Sequence, residues 1–134
     1  MGVEIEASGL AALRRSPAQN QRIQEAFHEF RDALELNVAS SEKDFELHRR
    51  IAEATNNRFY LDFLEYISRH ATLEAAGVLY GGEQSRQLDQ LKALEQEHKR
   101  FVDAISRQDA EGARQAMRQH LVASEERFVA TSFD

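Results

Sequence analysis

The sequence predicts an all-α bundle, and three observations carry that prediction. Apolar residues recur at spacings of three and four through most of the chain, and no segment alternates apolar and polar residues between hairpin turns. Glycine and proline are scarce, at six and one among 134 residues. The first helix covers about Val3 to Arg15, with Arg14 on the side of Val3, Ala7 and Leu10. It stops at Ser16, Pro17, Ala18 and Gln19, where Ser16 suits an N-cap, Pro17 the first helical position, and Gln19 the return bond of a capping box. Ile23, Phe27, Phe30 and Leu34 form the apolar stripe of the second helix, which breaks over Asn37 to Ser41. The third helix runs to Asn56 and Asn57. The fourth carries Tyr60, Phe63, Leu64, Ile67 and Ala71 on its inner face and ends by Gly81 and Gly82, a pair that continues a helix only at a cost. The fifth spans roughly Ser85 to Arg107. Asp109 is an N-cap for a last helix reaching about Thr131, and the short connection makes these two helices antiparallel.

A chain of this length is about one domain and buries roughly two-thirds of the surface it exposes when unfolded. With no cysteine, disulfides, thiolate ligands and thiol nucleophiles are excluded, so any metal must be held by imidazole, carboxylate or carbonyl groups. Met1 is not followed by a basic stretch and an apolar stretch of signal-peptide type, and the longest apolar runs are a few residues. These features point to a soluble, cytoplasmic protein without a membrane partner. Net charge is −6, and basic residues are scattered among acidic ones, which leaves no footprint for phosphate backbones. This chain by itself is not expected to bind DNA.

The histidines carry the chemistry. Asp44 and His48 are four apart, one turn of helix, and at 100° per residue they fall within about 60° of Ile51 and Thr55. On the fifth helix His98 sits inside the stripe Leu91, Leu94, Phe101, Ile105. On the sixth, His120 sits inside Ala113, Met117, Ser124, Phe128. Counted from the turn near Gln108, His98 lies about ten residues back and His120 about twelve forward, so at 1.5 Å per residue they stand within roughly 3 Å of the same height. Three imidazoles and a carboxylate therefore converge on the interior. Asp44 has a second reading as the partner of Ser41 in an N-terminal capping pair. His28 lies opposite its helix's stripe, on the solvent side, and His70 lies on the edge of its own. Arg49, Arg50, Arg127, Glu125 and Glu126 read as solvated helix faces.

This set of residues resembles a known family, the effector-binding C-terminal domain of GntR-type transcription regulators of the FadR subgroup, often called the FCD domain. The resemblance runs over nearly the whole chain. It begins with Glu4, Leu10, Ala11, Ala12, Ser16 and Pro17. It continues from Asp44 through His48, Arg49, Arg50, Ile51 and Ala54 to Asn57, then through Glu97, His98, Ala104 and Ile105. It closes with Asp109, Ala113, Met117, His120 and Leu121. The resemblance implies an antiparallel bundle of six or seven helices enclosing a polar ligand cavity. Its metal-binding members hold a divalent ion with one aspartate and three histidines, which carry over to Asp44, His48, His98 and His120. Zn²⁺ is the first expectation, with Ni²⁺ and Mn²⁺ as alternatives.

A small organic acid is the expected effector, filling open coordination positions, with Arg14, Thr55, His70 and Ser124 as candidate second contacts. The expected assembly is a homodimer whose effector-dependent arrangement controls a winged-helix DNA-binding domain absent from this chain. Residues 1–134 are thus expected to be one effector-binding and dimerisation domain. Two departures stand out. Leu47 replaces a phenylalanine common before the helix-three histidine, and the family's arginine near the start of the first helix would fall before Met1. Three other classes compete with the sensor. A metal-dependent enzyme would use Glu95 or Glu97 as base. A di-iron carboxylate bundle would use the pairs Glu25 with His28 and Glu95 with His98. A ligand-free structural dimerisation bundle would hold no stoichiometric metal. The sensor, and not an enzyme, is the reading expected to hold.

Overall fold

The computed structural model describes residues 2–36, 40–70 and 88–133, with side chains described through Arg69 and from Leu88 to Arg127. Among these residues six α-helices and no strands occur: α1 Gly2–Arg14, α2 Pro17–Leu36, α3 Ser40–Ala54, α4 Arg58–His70, α5 Leu88–Ser106 and α6 Ala110–Phe133. The expected end of the fourth helix near Gly81 and Gly82, and the start of the fifth at Ser85, fall outside the described residues. No described helix is long and apolar enough to cross a membrane.

Helix ends follow local chemistry. The Ser16 amide donates to Gln19 Oε1 at 2.9 Å and the Gln19 amide to Ser16 Oγ at 3.0 Å, the reciprocal capping box expected at the start of α2. Asp109 caps α6 by accepting from the Gly112 amide at 2.9 Å. At the end of α5, Gln108 takes a left-handed φ of 58°. Its amide donates to Ile105 O and the next amide, of Asp109, to Ala104 O, which is the paired bonding of a Schellman motif. Asn56, with φ of 56°, turns the chain after α3. There Thr55 Oγ1 donates to Ala52 O at 2.7 Å.

The core packs α5 against α6, α2 against α3, and α1 against α6 most extensively. Its centre holds Ile23, Phe27, Leu47, Ile51, Phe101, Ile105, Met117 and Leu121. Leu47 is fully buried, so the exchange for phenylalanine is absorbed inside the core. Phe30, Leu34 and Leu94 form a second cluster. On α4 Leu64 is buried while Tyr60, Phe63 and Ile67 are half-buried. The face of α1 differs from the expected Val3, Ala7, Leu10 side. Ala7 is buried as expected, but Val3 and Leu10 are only half-buried, and Ile5, Ser8, Gly9, Ala11 and Ala12 are buried with it. Beside Ile5 the packed residues are small, and at Gly9 a Cβ would collide with the Arg114 side chain of α6.

A left-handed Gln108 is strained where glycine is not. Gln108→Gly is expected to stabilise the chain by about 0.5–1 kcal/mol, the relief exceeding glycine's extra unfolded-state entropy. Thermal unfolding would register a rise of roughly 3 °C, and an unchanged or lowered midpoint would show the turn to be unstrained.

Candidate metal centre

Four helices meet at one buried polar cluster. Asp44 and His48 of α3, His98 of α5 and His120 of α6 are each at most 3 % exposed. The spacing of four on α3 brings Asp44 Oδ1 to 3.1 Å from His48 Nε2. From across the bundle His98 Nε2 comes to 3.0 Å from the same oxygen. One donor nitrogen from each of His48, His98 and His120 lies within 4.8 Å of the other two, a group able to hold a metal ion. Asp44 turns inward to the imidazoles instead of back to the helix start, so the capping reading gives way.

Each imidazole is tied down by its other nitrogen. His48 Nδ1 bonds Glu4 Oε2 at 2.9 Å, His98 Nδ1 bonds Leu94 O at 2.7 Å, and His120 Nδ1 bonds Glu97 Oε1 at 2.8 Å. All three partners accept only, so each Nδ1 carries a proton and each Nε2 is directed at the cluster. Arg127 holds both oxygens of Glu97 at 2.8 Å and donates to Ser124 Oγ at 3.1 Å. Beneath the cluster the Phe101 ring packs against all three imidazoles, at centroid distances of 5.8, 5.1 and 5.6 Å. The Phe30 ring lies tilted against His98 at a centroid distance of 4.3 Å.

Lone pairs facing a carboxylate oxygen at 3 Å repel unless a proton or a cation lies between them. Protons serve in the metal-free chain. Burial works against a charged His48, yet hydrogen bonds to Asp44 and Glu4 outweigh it and raise the imidazole to about 10. Burial alone would raise the Asp44 carboxyl, but His98 and His48 hold it well below the usual carboxylate range. His120 goes the other way, lowered to about 4 by burial and by the neighbouring His98 against the pull of Glu97. Glu97 is lowered to about 2, because the bonds from Arg127 and His120 overcome its burial.

The residues present also fit a cation. His120 Nε2 is buried and has no hydrogen-bond partner among the described residues. Donors held about 2.1 Å from a zinc ion lie roughly 3–3.4 Å apart, which matches the Asp44 spacings. The imidazole and carboxylate chemistry suits Zn²⁺, Ni²⁺ or Mn²⁺.

The suggested second contacts are dispersed. Ser124 is buried one turn beyond His120 and joined to the cluster through Arg127. Arg14 is exposed, donating to Thr55 O at 3.4 Å. The Thr55 hydroxyl is engaged in the turn after α3, about 10 Å along the helix from His48. The His70 side chain lies outside the described residues. Glu25 and His28 are exposed, which removes the di-iron pairing. A surface depression of about 270 Å³ lies between α5 and α6, lined by Arg100, Asp103, Arg107 and Gln119 among others, and none of the four cluster residues borders it.

Glu4 and Arg127 are the residues that sequence reasoning missed. Arg127 sits seven after His120 and so shares its face, a signal present in the spacing. A model of the FCD domain family matches residues 1–123. No curated protein matches the chain significantly.

Opposed shifts make a signature in pH. His48, raised from an ordinary 6.5 to about 10, contributes stability that is complete below 6.5 and lost as pH climbs to 10. His120, lowered to about 4, makes the unfolded chain bind more protons between 6.5 and 4, so stability falls as pH drops through that window. The chelated chain is therefore expected to melt highest near pH 6.5. Melting curves from pH 4 to 10 test this, and a monotonic trend would refute the opposed shifts.

Proposed function

The chain belongs to the FCD family, the effector-binding domains of GntR-family regulators, and from that premise we propose that it senses a small organic acid at a divalent metal ion held by Asp44, His48, His98 and His120. The proposed parent is of the FadR subgroup, with a winged-helix domain whose DNA binding the effector controls. The observation that supports the metal most directly is His120 Nε2, a buried nitrogen oriented into the cluster and without a hydrogen-bond partner among the described residues. When bound, the ion supplies positive charge and open coordination positions that an effector carboxylate can fill. The chain's own residues orient the donors, with Phe101 and Phe30 closing apolar flanks around them. Ser124, one turn beyond His120 on the same helix, is the effector contact proposed first, and Zn²⁺ is the ion proposed first.

Sensing fits this arrangement better than turnover. Glu97, one of the two candidate bases, is ion-paired with Arg127 and lowered to about 2, which makes it a weak proton acceptor. Its ties lead to other parts of the fold. We also infer a homodimer, supported by Phe59 and Tyr66 of α4, which are 56 % and 58 % exposed and offer apolar surface for a second copy to cover.

Purified without a chelating tag, the chain is expected to carry one metal ion per chain by mass spectrometry, and His98→Ala and His120→Ala to lose it. A panel of organic acids is expected to raise the melting temperature only while metal is present, in proportion to ln(1 + [L]/Kd). No stoichiometric metal after addition of Zn²⁺ or Ni²⁺ would sink the metal reading. In sedimentation the chain is expected to run as a dimer and Phe59→Glu as a monomer; a monomeric parent chain would overturn the assembly.

A further inference from the structure

We infer that Glu4 and Glu97 are the positioning residues of the metal centre, each fixing one imidazole in the tautomer that presents Nε2 to the ion; this rests on the metal reading above. A neutral imidazole can carry its proton on either nitrogen, and only the Nδ1–H form leaves Nε2 free to ligate. Three imidazoles face this choice, and the fold settles it in two ways. His98 is fixed within its own helix, its Nδ1 donating to Leu94 O four residues back at 2.7 Å. His48 and His120 are fixed from outside their own helices. Their Nδ1 protons are taken by carboxylates on other helices, Glu4 of α1 at 2.9 Å and Glu97 of α5 at 2.8 Å.

The two carboxylates are placed for that task. Both are largely shielded from water, with side chains 12 % and 11 % exposed. Each meets its imidazole at Nδ1, the nitrogen opposite the one offered to the ion. Arg127 grips both oxygens of Glu97, which stops that carboxylate from turning away. Outer carboxylates that accept from a ligating histidine typically change metal affinity 10–100-fold.

Charge offers a competing explanation, because any carboxylate near a cation strengthens its binding. Glutamine separates the two causes, since Glu→Gln removes the charge and keeps an oxygen acceptor. Metal affinity measured by competition with a chromogenic chelator, for Zn²⁺ and for Co²⁺, is expected to fall roughly 10–100-fold in Glu4→Ala and in Glu97→Ala. Glu4→Gln and Glu97→Gln should stay within about threefold of the parent chain. The visible spectrum of the Co²⁺ form is expected to change in the alanine variants and persist in the glutamine ones. Circular dichroism checks folding, and Glu→Met at either position, which keeps length without an acceptor, replaces an alanine variant that does not fold. Glutamine variants as weak as alanine would assign the effect to charge and overturn the positioning role. Alanine variants that bind as the parent does would also overturn it while leaving the metal reading intact. A parent chain that takes up no metal overturns both.

Discussion

Three imidazoles share a dry interior with one carboxylate, and none can use its second nitrogen to relieve the crowding. Each Nδ1 is already committed, to Glu4, to Leu94 O or to Glu97. Electron pairs therefore converge where water does not reach, and something positive has to stand among them. Much of the surrounding structure answers to that demand. The pieces come from α1, α3, α5 and α6, so helices distant in sequence are fastened at a single point. The polar cluster and the apolar core are also one body, since Phe101 belongs to the core and touches every imidazole.

Features set by one helix at a time are legible in the sequence. The Asp44 and His48 pair follows from a spacing of four, and His98 and His120 follow from polar residues inside apolar stripes. Caps at Ser16 and Asp109 are local chemistry and appear where expected. Bonds between helices are harder to read, because periodicity says which way a residue faces but not what it meets. Arg127 illustrates the difficulty. Most arginines on a helix near its end are solvated, and nothing in one sequence announces that Glu97 waits on the neighbouring helix. Arg14 and Thr55 fail differently: each lies at the end of a helix, two turns from the height of the cluster, so a shared direction does not become proximity.

The face of α1 shows a further limit. Apart from Ile5 its packed side is lined by alanine, serine and glycine, so a search for large apolar residues finds little of it. The Arg114 side chain of α6 lies across Gly9, in space that a Cβ there would claim. Glu4 belongs to the same helix, so the contact that orders His48 depends on how closely α1 can settle.

The turn between α5 and α6 has a consequence for how such a chain can vary. Surface connections ordinarily absorb added or lost residues with little penalty. Arg107, Gln108 and Asp109 have no such freedom, because they act as a ruler that sets His98 and His120 level across the bundle. One inserted residue carried into α6 would rotate that helix by about 100° and lift it by about 1.5 Å, turning His120 out of the cluster. Among relatives that keep this centre, this connection should hold its length while other loops drift, which makes its length alone a marker for a retained site.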